Sequence, residues 1–142
     1  MARPERAGPA DEKVTVNVGP VDLGRVDLLV EEGFYASRTD FIRAAVRRLL
    51  DEHKSFLEDA ATRREFSVGV VKLGASYLET VRKKKERLEL RVVGVLELRD
   101  DVTPELADQT IERVNVLGSF RAPPAVIERL GARVSKKRGI DG

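Results

Sequence analysis

The sequence predicts an α+β protein in two parts. An N-terminal module supplies one short strand to an intermolecular two-stranded ribbon and two helices beneath it. A small C-terminal α/β repeat follows, short and solenoid-like, with parallel strands. Three observations predict this. Residues 13–18 alternate polar and apolar, the period of a half-buried strand. Two segments of helical period follow without a second strand at hairpin distance. Beyond residue 65, glycine-bearing aliphatic segments recur at near-constant spacing, as a repeat array requires.

The elements follow in order. Residues 1–12 are rich in Pro, Gly, Ala and charge, the composition of a disordered arm. In the strand, Val14, Val16 and Val18 face one way and Lys13, Thr15 and Asn17 the other. Gly19-Pro20 ends it, and proline suits the first residue of a helix. Val21 to Glu32 sets Leu23, Val26, Leu29 and Val30 on one face, with Gly33 as the C-terminal cap. Gly24 inside this helix disfavours it by about 0.8–1.0 kcal/mol relative to alanine. After Phe34-Tyr35-Ala36, the run Ser37-Arg38-Thr39-Asp40 is a capping box with aspartate in place of Glu or Gln. The helix it opens carries an apolar stripe of Phe41, Ile42, Ala45, Val46, Leu49 and Leu50. The spacing continues through Phe56, Leu57, Ala60 and Ala61, which predicts a helix to about Arg64.

Segments 68–73, 93–98 and 117–122 then align through Gly69, Gly94 and Gly118. Helices are expected over 75–88, 104–113 and 124–130. The domain reading is an arm (1–12), a first module with an extended second helix (13–65), an α/β repeat for oligomerisation or interaction (66–132) and a flexible basic tail (133–142).

Composition narrows the function classes. The chain has no cysteine and a formal net charge of +2, so thiolate metal sites are excluded and any case for nucleic acid must rest on where the charges lie. Neither a signal-peptide core nor a run of about 20 apolar residues is present. A cytoplasmic, nucleoid-associated protein without membrane contact is expected.

A lone strand leaves its backbone groups without local partners. Pairing with the same strand of a second subunit about a two-fold axis satisfies them. The valines would then cover the four helices of the dimer, and Lys13, Thr15 and Asn17 would point outward. A two-stranded ribbon fits the DNA major groove; asparagine can bond adenine bidentately and lysine suits guanine. The start of the second helix offers backbone N–H groups at Arg38 and Thr39 and a positive dipole end, suited to a phosphate.

On the residues Gly33-Phe34-Tyr35-Ala36-Ser37-Arg38-Thr39-Asp40-Phe41-Ile42-Arg43-Ala44-Ala45, and over 13–50 as a whole, the chain resembles the CopG-type ribbon-helix-helix DNA-binding domains. The resemblance implies a homodimer, often assembled further on double-stranded DNA, acting as a transcriptional repressor or autoregulator. It implies Lys13, Thr15 and Asn17 as base readers and Ser37, Arg38 and Thr39 as phosphate binders. The dimer core expected is Val14, Val16, Val18, Val26, Leu29, Phe41, Ile42, Ala45, Val46 and Leu49. Arg3 and Arg6 are candidates for contact with an adjacent groove. The sequence departs from expectation at 19–24, where a stronger helix former would be usual.

Other signals read as ordinary structure. Arg43, Arg47 and Arg48 make a charged helix face, with Arg47 and Asp51 at four-residue spacing. His53 is the sole histidine, which cannot supply the clustered ligands of metal-responsive relatives; no metal or other cofactor is expected. Gly19 to Gly24 has phosphate-loop spacing but is followed by Arg25-Val26 instead of Lys-Ser/Thr. The carboxylates of Glu31-Glu32 and Asp100-Asp101 stand beside no nucleophile-base set, so no enzyme and no catalytic residue are expected. Lys83-Lys84-Lys85 and Lys136-Lys137-Arg138 read equally as solvated charge or phosphate contact. For 66–132 the readings are self-assembly, docking of a protein partner, or metabolite sensing. The alternatives for the whole are an antitoxin and a DNA-anchored self-assembling scaffold.

Overall fold

A computed structural model describes residues 11–136. The arm to residue 10, with Arg3 and Arg6, and the tail beyond Lys136 lie outside the described residues. The chain divides into two units, 13–60 and 61 onward, so the division falls at 60/61 where the sequence suggested 65/66. Each unit is described by itself.

In the first unit, residues 11–19 carry neither helix nor strand within the single chain. Helix α1 spans Pro20–Glu31, with proline at its first position and extended Gly19 as N-cap. Its end is a Schellman turn: Gly33 takes φ +87, and the N–H groups of Gly33 and Phe34 donate to Val30 and Leu29 carbonyls at 3.0 Å each. A Cβ added at Gly24 would meet nothing within 4 Å. Gly24→Ala is therefore expected to raise stability by about 0.5–1 kcal/mol in denaturant unfolding.

Helix α2 spans Arg38–Glu52 and α3 spans Lys54–Arg63. The expected continuous helix to Arg64 is thus interrupted at His53, which sits at φ −99, ψ 9. Its N–H bonds the Leu50 carbonyl while its own carbonyl accepts from Leu57. One residue ends α2 and starts α3, with no Gly or Pro in the sequence to mark the break. α1 and α2 contain no buried residue.

The second unit is a parallel sheet covered by helices. Strand β1 (Ser67–Leu73), α4 (Ala75–Lys83), β2 (Leu88–Leu98), α5 (Pro104–Thr110), β3 (Ile111–Arg121), α6 (Pro124–Leu130), a 3-10 turn (Gly131–Arg133) and β4 (Val134–Lys136) follow in chain order. The sheet order is β1-β2-β3-β4, all parallel. Successive right-handed crossovers that step one strand in one direction put all three helices on one face, and α5 touches both α4 and α6. Leu78, Leu106, Ala107, Val126 and Leu130 pack there against Val92, Leu96, Leu98, Ile111, Val114 and Val116.

Two helices are shorter, and two strands longer, than the sequence suggested. α4 ends at a turn where Lys85 takes φ +58, and the alternation Leu88, Leu90, Val92 belongs to β2. α5 gives way to β3 without a loop. The expected tail also contributes Val134–Lys136 as an edge strand paired with Val114–Val116.

Two arginines hold the α5–β3 junction. Arg87 and Arg133 both donate to the carbonyls of Asp108 and Ile111, groups that a helix end leaves unpaired. Arg133 and Arg129 also bond the Asp108 carboxylate, and these hydrogen bonds, that of Arg133 foremost, hold its pKa below the ordinary carboxylate value. A carboxylate depressed on folding stabilises above its unfolded pKa, about 4, and loses that contribution as pH falls through the folded value. Thermal unfolding is accordingly expected to show a steeper acid-side loss of stability in the native protein than in Asp108→Asn, the two profiles running parallel above about pH 5 and converging as pH falls below about 4.

Gly69, Gly94 and Gly118 stand in one row of the sheet with φ of +127, +132 and +126. A Cβ at Gly94 would lie 2.1 Å from the Gly69 carbonyl oxygen, and one at Gly118 would lie 2.1 Å from that of Gly94. The recurrence seen in the sequence is thus a steric ladder: each inner strand needs glycine because its neighbour's carbonyl occupies the Cβ position.

Candidate nucleic-acid interface

The first unit exposes what a folded chain normally buries. Val14, Val16 and Val18 are 84%, 66% and 44% exposed. Ile42, Val46 and Leu49 on α2 are exposed as well, while Val26, Leu29 and Phe41 are half-buried and Ala45 is exposed. Within one chain, the structure does not gather the expected dimer core into an interior. Lys13, Thr15 and Asn17 are also exposed, so both faces of the segment meet solvent.

The start of α2 is tightly built. Ser37 is its N-cap, and its hydroxyl accepts from the Asp40 N–H at 3.0 Å. The Asp40 carboxylate reaches back to the Ala36 N–H at 3.0 Å, one residue before the usual partner in a capping box. Tyr35 packs edge-on against Phe41, centroids 5.1 Å apart. Helix geometry leaves the N–H groups of Arg38 and Thr39 without carbonyl partners inside α2.

Arg38 has a second bond system that the sequence did not signal. Its Nε and Nη2 donate to both carboxylate oxygens of Asp27, at 2.7 and 2.8 Å. This fork ties α1 to α2 across eleven residues. It lowers the Asp27 pKa through the Arg38 hydrogen bond and raises that of Arg38 through the same contact. Both side chains remain about half exposed, so the tie fixes orientation more than it adds stability. A charged pair eleven residues apart carries no periodic signature and becomes visible only once the interhelical turn is known.

Comparison with known proteins decides the class. The model of the ribbon-helix-helix transcriptional regulator family matches residues 9–127. The chain belongs to that family. The match extends well past residues 13–50, where the sequence resemblance was legible, so most of the sheet unit is part of what the family shares. The chain is also similar to the transcriptional regulator CdrS of Halobacterium salinarum, 38% identical over 42 residues, which are 30% of this chain and 76% of that one. A chain of that size is too short to hold counterparts of both units. No solved structure matches. Family membership supports a DNA-binding transcriptional regulator with a mixed helix and sheet fold. Among the described residues, no helix is long and apolar enough to cross a membrane, and no group of three or more His, Cys, Asp or Glu side chains is placed to hold a metal ion.

Proposed function

We propose that this family member binds a specific operator as a homodimer, with residues 13–18 of two copies paired as an antiparallel ribbon in the major groove. The observation that carries this reading is the exposed valine row. Val14, Val16 and Val18 precede two helices that contain no buried residue. A second copy would bury those valines against the α1 and α2 stripes, which also remain open, and would satisfy the strand's backbone. Lys13, Thr15 and Asn17 then face the bases.

In this reading the phosphate clamp is the start of α2: the Arg38 and Thr39 N–H groups, held in place by the Ser37 cap. The Arg38 guanidinium, gripped by Asp27, sits beside it. Arg38→Ala keeps the backbone N–H but removes the guanidinium and bares the Asp27 carboxylate beside the phosphate site; it is expected to weaken binding to all sequences alike, and to flatten the dependence of log K on log salt by about 0.9 where the guanidinium itself meets a phosphate. An affinity loss with unchanged slope would assign Arg38 to positioning through Asp27 alone. Repression or autoregulation is the regulatory outcome proposed, in the cytoplasm at the nucleoid, and Arg3 and Arg6 are proposed to reach an adjacent groove. The domain roles proposed are DNA recognition by the first unit and oligomerisation by the second.

Selection of bound duplexes from a random pool tests the function directly. A palindromic or tandemly repeated consensus is expected; recovery of unenriched DNA would reject sequence-specific recognition.

A further inference from the structure

We infer that the sheet unit holds a site for a small oxyanion ligand, a phosphate or polycarboxylate compound, in a cleft walled by Arg64, Arg91 and Arg113. The inference does not depend on the DNA-binding reading, and every residue it uses lies in the sheet unit.

The cleft has a volume of about 250 Å³. Small-molecule sites usually run from about 300 to 1,000 Å³, so its occupant is compact. Its chemistry comes from Arg64, Phe66, Glu89, Arg91, Arg113 and Asn115, which three parts of the chain supply. After α3 the backbone turns at Glu65, φ +58, where the Phe66 N–H donates to the Ala61 carbonyl at 2.9 Å. That turn carries Arg64 and Phe66 to the head of β1. In β2 and β3, Glu89 stands beside Arg113 and Arg91 beside Asn115. Val92 and Val114 are buried in the core beneath the helices, so strand alternation directs Arg91, Arg113 and Asn115 to the opposite face of the sheet.

The charges in the cleft are unevenly paired. Arg91 is committed: its Nη1 donates to the Arg64 carbonyl at 3.2 Å and to Glu65 at 3.5 Å, and its Nη2 to Glu89 at 3.1 Å. Glu89 thereby bonds along its own strand, although Arg113 is the opposite charge beside it across the strands. Among the described residues, Arg113 makes no hydrogen bond or ion pair. Arg64 pairs with no carboxylate among them either. Its guanidinium lies 4.9 Å from the Phe66 ring centroid, a cation–π contact that holds it in place without neutralising it. Two uncompensated guanidiniums thus line one small cleft. An oxyanion between them relieves their repulsion and takes up their donors, which match carboxylate and phosphate oxygens bidentately. Asn115 adds a further donor, and Phe66 an apolar wall for an attached carbon skeleton. A concave site of this size suits a small ligand better than a duplex, whose charge is spread as single phosphates along a rod.

Isothermal titration of the full-length protein with inorganic pyrophosphate, and separately with citrate, tests the site. At least one probe is expected to bind once per chain with Kd below about 1 mM. Arg113→Ala removes an exposed side chain and should weaken that binding about tenfold or more while leaving circular dichroism native. Lys83→Ala, which removes a positive charge outside the cleft, should leave binding unchanged. Glu89→Gln removes a carboxylate from the wall and should tighten binding, a gain that a misfolded variant does not produce. Silence with both probes, equal losses in the Arg113 and Lys83 variants, or no gain from Glu89→Gln would overturn the proposal. So would displacement of the bound probe by random duplex DNA, which would make the cleft part of a DNA-binding surface.

Discussion

Gly94→Ala is expected to destabilise the sheet unit by about 2–6 kcal/mol. Two independent effects add. The residue sits at φ +132, a conformation that an L side chain adopts only under strain, on the order of 1–3 kcal/mol. The new methyl group would also arrive 2.1 Å from the Gly69 carbonyl oxygen. That atom is backbone in a paired strand, so relief requires β1 and β2 to part; overpacking of this kind typically costs about 1–3 kcal/mol more. A unit of this size should lose about 4–8 °C of melting temperature for each kcal/mol. Chemical unfolding followed by circular dichroism checks the figure, with Gly24→Ala as a control for the chemistry of the substitution. A loss below about 1 kcal/mol would mean that the strands slide past the ladder with little resistance.

Asn17→Ala should lower affinity for the selected operator by about 1–3 kcal/mol, the size of one bidentate base contact. The decisive feature is selectivity. Loss of a base reader should relax preference at one base pair of each half-site, while affinity for unrelated DNA and the salt dependence stay unchanged. Asn17 is exposed and lies outside any helix or strand of the single chain, so its removal should leave monomer stability intact. Fluorescence anisotropy against the operator, single-base variants and random duplex separates these terms. Retained operator preference would remove Asn17 from the reading surface.

Much of the first unit was legible because its signals are local. Pro20, Gly33 and the Ser37–Asp40 box act within one turn of the residues they cap, and a 3.6-residue stripe needs no knowledge of the partner. The fork between Asp27 and Arg38 was not legible, since it depends on how two helices meet. Nor was the break at His53, where a helical pattern runs on in sequence across a residue that departs from helical geometry.

The sheet unit divides the same way. Three glycines at spacings of 25 and 24 residues announced a repeat, and the structure shows the carbonyl-to-Cβ contact that requires them. Leu88 at the start of β2 and residues 111–113 at the start of β3 were read as helix ends, and 89–92 and 114–116 were assigned to no element. In 88–92, charged residues alternate with aliphatic ones on a face that helices cover, and Glu89 and Arg91 resemble a solvated helix flank when taken alone. β4 was hidden because three residues are too few for any period to register. The family match to residue 127 adds what the sequence alone lacked: most of this unit is shared among relatives and is not an appendage of this one chain.

The central claim is that residues 13–18 acquire their structure from a second copy. Filtered nuclear Overhauser spectra of full-length protein, mixed from isotope-labelled and unlabelled chains, address it directly. The account predicts interchain backbone contacts running antiparallel through Thr15 and Val16, with Val14 and Val18 meeting α1 and α2 side chains. A monodisperse single chain, with those valines still in water and no contact between copies, would contradict it.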